Sequence, residues 1–347
     1  MKKIVYFIIF LALSLGLMIG LMEGVGRILI WEKFGIPGKS YGLWGYDSEL
    51  GADHRRNVYN THTSTNNYGF RNQEDVLETQ PENSVRVIAF GGSTTFGYNL
   101  LDNETYTRQL QNRLRHIKGL EKSQVLNAGR ICWSAGHNLI LMKRLVPKLK
   151  PDYAILYEGL NETTNAYALN LDGVSLDDLK GTYGKIGMGL DQNRWLKRNS
   201  VIVRFFDYYV KGILLAMRAN QIQEPEEKPP AQESNEIHPW VIENYRFTLK
   251  EMIHFLKENN VKPIVVRFAF VYSPELREIF SDTSSEVARE ERVPVCDMRL
   301  RFEQYGDRQK NLFIGTGVHV TPQGAEILAD ELLKSILNEM ENPRIDE

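Results

Sequence analysis

Five short apolar runs, spaced by amphipathic stretches, limit what this chain can fold into. They are Val85, Val87, Ile88 and Phe90, then QVLNAG at 124–129, YAILYEG at 153–159, KPIVVRFAF at 262–270 and VPVCD at 293–297. Runs of this length read as buried strands. Between them, Tyr106, Leu110, Leu114 and Ile117 recur at spacings of four, four and three, the period of a helix face. Met142, Leu145, Val146 and Leu149 share a face in 138–149, where Pro147 should kink or end the helix. Tyr245, Leu249, Met252, Ile253 and Leu256 mark another helix, and TPQGAEILADELLKSIL closes the pattern with a proline at its start. Strands alternating with helices predict an α/β chain whose parallel sheet is covered on both faces.

In such a sheet the carboxyl ends of the strands meet at one edge, where ligands bind. In VIAFGGSTTFG, residues 87–97, two glycines end the first strand and Ser93 follows. Glycine permits a sharp turn where a Cβ would clash. NAGRICWSAG follows the second strand, GLNE (Gly159 to Glu162) the third, and GTGVHVTPQG brings His319 just before the last helix. A serine, an amide side chain and a histidine are thus delivered to one rim. Acyl transfer needs a nucleophile, a base and donors for a tetrahedral oxyanion. Each residue also has a plainer reading: Ser93 as a helix cap or turn serine, Asn161 as a turn asparagine, His319 as a helix-start histidine bonded to backbone, and Glu162 as a solvated turn carboxylate.

The flanks differ in character. Lys2 and Lys3 precede an uncharged run from Ile4 to Met22. As a helix that run spans roughly 28 Å, close to the hydrocarbon core of a bilayer. The small residues suited to signal cleavage, Ala12 and Ser14, lie inside the run, so it reads as a signal anchor in 1–30. The two lysines favour the cytoplasmic side, which puts the rest of the chain outside the cytoplasm. Residues 31–80, including THTSTNNYGFRN, show no period and read as an ordered extension packed on a main domain at 81–342. The charged, proline-rich stretch 220–239 reads as a disordered insertion.

Composition removes several classes. With 44 acidic and 42 basic side chains the formal net charge is -2, which offers no basic surface for nucleic acid. Cys132 and Cys296 are too few for a disulfide scaffold and read as buried free thiols. GGSTTFG lacks the Gly-Lys-Ser/Thr of a P-loop, the second glycine of a Gly-x-Ser-x-Gly elbow and the spaced glycines of a dinucleotide site. The seven histidines form no His-Glu-x-x-His, so neither a protein-bound metal nor another cofactor is expected.

Taken in order, FGGSTTFG, NAGRICWSAG, GLNE and GVHVTPQGAEILAD resemble the four motifs of the SGNH hydrolases, also called GDSL-type esterases and lipases, over roughly residues 83–340. NNYGFRN and the single amino-terminal apolar segment resemble a membrane-anchored bacterial subgroup. The resemblance implies a flavodoxin-like three-layer α/β/α fold with a parallel sheet, preceded by one transmembrane helix. It implies Ser93 as nucleophile, His319 as base, and Asn161 with the Ser93 amide as oxyanion donors. The family's oxyanion glycine, five residues after Asn127, is here Cys132, with Gly129 as the alternative donor if the loop is shifted. The family's aspartate, three residues before the histidine, is here Thr316. That change leaves three arrangements open: a Ser-His dyad, a triad completed by Asp297 or Asp307, or a weakened enzyme.

The reading is therefore a single-pass membrane protein with a periplasmic or extracellular serine esterase domain. Its expected partners are the membrane, through the helix, and an O-acyl ester of a carbohydrate or lipid. An acyltransferase of the same fold and a weakly catalytic carbohydrate-binding or assembly protein are the alternatives.

Overall fold

The computed structural model describes residues 2–29, 43–47, 49–58, 63–162, 200, 202, 239–271, 274–314 and 317–341. The apolar runs become strands because both their faces are covered, which is what a continuous rather than alternating run requires. Helix α1, Lys2–Leu29, comes first, followed by an antiparallel pair, β1 (Trp44–Asp47) and β2 (Gly51–His54). The main sheet holds β3 (Arg86–Gly91), β4 (Gln124–Asn127), β5 (Tyr153–Tyr157), β6 (Lys262–Arg267) and β7 (Val295–Asp297). All its pairings are parallel, in the order β4-β3-β5-β6-β7. Every residue of β3, β4 and β5 is buried.

Helix α2 (Ser93–Phe96) is one short turn. The longer helices α3 (Tyr106–Arg115), α4 (Ala135–Leu149), α5 (Pro239–Glu258) and α6 (Pro274–Glu290) come next along the chain. Helix α7 (Met298–Glu303), a two-residue antiparallel pair of β8 (Phe313–Ile314) with β9 (His319–Val320), and α8 (Pro322–Glu341) complete it. Helix α3 packs against α8, while α5 packs against both α4 and α6. This gives helices on both faces, as the sequence reading expects. Pro147 stands inside α4, two residues before its end, so it ends the helix rather than splitting it. Pro322 opens α8, and Thr321 Oγ1 accepts from the Gly324 N–H at 3.3 Å, the usual amino-terminal cap.

Strand order places the site. Counted along the sheet's own strands the order is second, first, third, fourth, fifth, the flavodoxin-like arrangement. The chain leaves β3 toward one side, to reach β4, then returns across it to form β5. The connections therefore diverge between the carboxyl ends of β3 and β5 and leave a crevice there. Ser93 follows β3 and Asn161 follows β5.

Within Lys2–Gly26 of α1 an 18-residue apolar window has mean hydropathy 2.6 and is not buried against the rest of the chain. The helix is long and apolar enough to cross a membrane. In the extension, Leu50, Val58, Phe70 and Val76 are buried in the same core as the sheet. The proposed insertion 220–239 lies outside the described residues except for Pro239, which opens α5.

Candidate active site

Two glycines let the chain turn out of β3. A Cβ on Gly91 would strike Thr95 and the Tyr157 carbonyl, and one on Gly92 would strike the Asn161 amide. Ser93, half-buried, is the first residue of the turn that follows. Its Oγ lies 2.8 Å from Nε2 of His319, which sits on β9 after a separation of 226 residues. The pair is thus built by the tertiary fold, with pairing of Ile314 to His319 fixing the strand that carries the imidazole.

The His319 ring packs 5.0 Å from the Tyr98 ring. Burial, and then the positive charge of Arg277, hold its pKa below the ordinary imidazole range. A neutral imidazole bearing its proton on Nδ1 presents a bare Nε2 that can take a proton from a hydroxyl. Thr316 lies outside the described residues. Asp297 pairs with Arg267 at 2.9 Å and accepts from the Leu300 N–H at 2.9 Å, capping α7. Asp307 is exposed in the 3-10 turn Gly306–Leu312. Among the described residues, the side chain hydrogen-bonded to His319 is Ser93, and neither aspartate takes that place.

After β5, the Asn161 Nδ2 donates to the Trp133 carbonyl at 2.7 Å. An amide nitrogen has two N–H groups, so one remains to face the hollow lined by Gly92, Ser93, Trp133, Tyr157, Glu158 and Asn161. Trp133 is buried, with the Arg130 guanidinium 5.6 Å from its ring and the His137 ring stacked at 5.4 Å. Its carbonyl is therefore held, and so is the amide that rests on it.

Cys132 stands one residue earlier in this loop with φ +64°, the left-handed conformation that glycine adopts most cheaply. That is the conformation the glycine expected at this position would take. The alternative donor, Gly129, is excluded by geometry: its N–H is already given to Asn127 Oδ1 at 3.0 Å, and it packs directly on the Thr95–Phe96 backbone. Contrary to the expectation of two buried thiols, Cys132 is half-exposed because it lies on this turn, whereas Cys296 on β7 is buried. Partial burial raises the Cys132 thiol pKa, which favours the neutral thiol.

Glu162 corrects the sequence reading outright. It is buried, and its Oε1 accepts from the Ala135 N–H at 2.6 Å, the first residue of α4. A carboxylate at the start of a helix satisfies an orphan donor there and meets the positive end of the helix dipole. Burial outweighs these bonds and raises its pKa to about 7. Glu158, which accepts from Asn138 Nδ2 at 3.1 Å, is pushed well above the carboxylate range by burial and by Glu162. Burial thus disfavours the charged form of both carboxyls. The sequence reading also left out Trp133, Tyr98 and Arg277. Trp133 sits inside a motif already singled out, but Arg277 carries no local signal.

Over 106 residues the chain is 26% identical to the isoamyl acetate-hydrolyzing esterase of Saccharomyces cerevisiae, a match covering 25% of this chain and 44% of that protein. The chain thus spans less than half the length of that curated relative. A lipase/acylhydrolase from Enterococcus faecalis is 15% identical, with 76% of this chain and all of that one covered, at a TM-score of 0.46. The psychrotrophic esterase EstA from Pseudoalteromonas sp. is 11% identical, with coverage of 74% and 99% and a TM-score of 0.45. The profile of the GDSL-like lipase/acylhydrolase family matches residues 89–327. That stretch runs from within β3 to within α8 and holds Ser93, Cys132, Asn161 and His319. The chain belongs to the GDSL-like lipase/acylhydrolase family.

Proposed function

We propose that the chain is a membrane-anchored ester hydrolase acting on O-acyl groups of a carbohydrate or lipid, with its catalytic domain outside the cytoplasm. The observation that carries this reading is the 2.8 Å contact between Ser93 Oγ and His319 Nε2 at the switch point of the sheet, facing the Asn161 amide. Ser93 attacks the ester carbonyl while His319 takes its proton. The oxyanion is received by the Ser93 and Cys132 amides and the free Asn161 N–H. Collapse expels the alcohol, which recovers the proton from His319. Water activated by the same imidazole then releases the acid. With no charged partner identified for His319 among the described residues, Ser93 and His319 act as a dyad. Family membership and the esterase names of its relatives support the reaction class, and α1 supports the anchor.

One experiment tests both nucleophile and orientation. A membrane-impermeant fluorophosphonate is added to intact spheroplasts, and the labelled peptide is mapped. Modification of Ser93 is expected. Labelling of Ser93 only after lysis reverses the orientation, and no labelling even in the lysate refutes the nucleophile.

The pH dependence has a definite sign. His319 works as the neutral base, so activity is present above its pKa and lost as pH falls through it. Because that pKa is lowered, the acidic limb of kcat/KM is expected below about pH 6.5, the ordinary imidazole value. Arg277→Gln removes a cation that disfavours imidazolium. Its acidic limb should move to higher pH, with the plateau changed less than the limb. A limb that stays in place in a pH series would show that burial alone sets the histidine's pKa.

A further inference from the structure

The stretch NNYGFRN has no part in the mechanism above, yet it reaches the Ser93 turn. Asn66 is fully buried, and its Oδ1 accepts from the N–H groups of Tyr68 at 3.0 Å and Phe70 at 3.1 Å. Asn72 accepts from the Asn127 N–H and donates to the Val125 carbonyl, fastening the stretch along β4. Between these anchors the Arg71 N–H donates to the Asn127 carbonyl at 3.0 Å. The Arg71 side chain is buried beneath α2. Its Nη1 donates to the carbonyls of Phe96 at 2.8 Å and Gly97 at 2.6 Å, and its Nη2 donates to that of Leu100. Its Nε donates to Asp102 at 3.0 Å, and the guanidinium lies 4.5 Å from the Phe96 ring centre.

We propose that Arg71 is a positioning residue for Ser93, a role that rests on the hydrolase reading. A single helical turn has no stability of its own, since nucleation costs more than one turn returns. Helix α2 has only four residues, so its place is imposed from outside. At its carboxyl end Gly97 turns left-handed, at φ +85°, and the exposed carbonyls collect there. Asn127 takes the Thr95 carbonyl at 2.9 Å, and Arg71 takes the next two. Ser93 is at the other end of the same turn, while His319 stands on a separate strand. Any tilt of the turn therefore changes the Ser93–His319 distance directly. A misplacement of about 1 Å is enough to lower a rate by about 10²-fold. The planar fork of arginine spans three carbonyls, whereas a lysine ammonium is a point charge on a flexible stem.

The test is steady-state ester turnover by the full chain, with the active fraction titrated by fluorophosphonate. Arg71→Lys is expected to fold, with kcat lowered about 10–100-fold per titrated site and KM within threefold of wild type. Arg71→Ala should recover part of its kcat in millimolar guanidinium, which a merely destabilised protein would not do. If Arg71→Lys fails to fold, Asp102→Ala keeps the guanidinium but frees its Nε, and should lower kcat severalfold at constant KM. Wild-type kcat per active site in the variant that folds, or a loss accounted for by the inactive fraction, overturns the proposal. A wild-type chain without Ser93-dependent turnover overturns the hydrolase reading and this role with it.

Discussion

Ser93→Ala is expected to lower ester turnover by about 10⁴–10⁶-fold while leaving the fold intact. Removing the nucleophile of a serine hydrolase has an effect of this order, and the remainder comes from the oxyanion donors and substrate binding alone. The stability change should be small. Ser93 is half-buried, and its hydroxyl is bonded to His319. Loss of one such bond is worth about 1 kcal/mol. The substitution adds no atom, so the glycine-lined turn stays unobstructed. Turnover and thermal unfolding measured on the same preparation separate the two effects. A variant that unfolds like wild type and still hydrolyses short-chain aryl esters at the wild-type rate would remove Ser93 from the mechanism. A parallel fall of activity and melting temperature would make Ser93 a structural turn residue instead.

The residues that sequence reasoning located share one property: each is marked by a local pattern. β3 is legible because all its residues are buried and its apolar run is uninterrupted after Arg86. Ser93 is legible because two glycines precede it, and the structure shows what each glycine makes room for. His319 is legible through the Thr-Pro start of α8. What escapes is decided by contacts remote in sequence. A solvated glutamate and one capping a helix 27 residues away look the same in one dimension, so Glu162 reads as a surface group until Ala135 is placed beside it. NNYGFRN shows no period because its backbone bonds are mixed: turn bonds among Asn66, Gly69, Phe70 and Asn72, bonds to the Asn66 side chain, and one from Arg71 to β4. Cys132 stands between these cases. The resemblance places a glycine at its position, and the φ of +64° that such a glycine would take is seen only in the fold.

Asn161 carries the second large effect, and its two possible roles predict different measurements. As an oxyanion donor it acts only when the tetrahedral intermediate forms. Asn161→Ala should then lower kcat by about 10²–10³-fold, the usual effect of one donor, with little change in KM. As a turn asparagine it would act on the fold, and the loss would appear in stability with kcat per active site preserved. Asn161→Asp sharpens the comparison because it keeps the shape of the side chain. It replaces the N–H that meets the Trp133 carbonyl at 2.7 Å with an oxygen, so two acceptors face each other. It also puts a carboxylate where negative charge develops at the substrate. Glu158 and Glu162 in the surrounding walls have raised pKa values, so a new charge there would be a marked change in the field. The expected order of kcat is wild type, then Asn161→Ala, then Asn161→Asp. A carboxylate variant as active as wild type, or an alanine variant within threefold of it, would mean that the oxyanion is held by the backbone amides of Ser93 and Cys132 without this side chain.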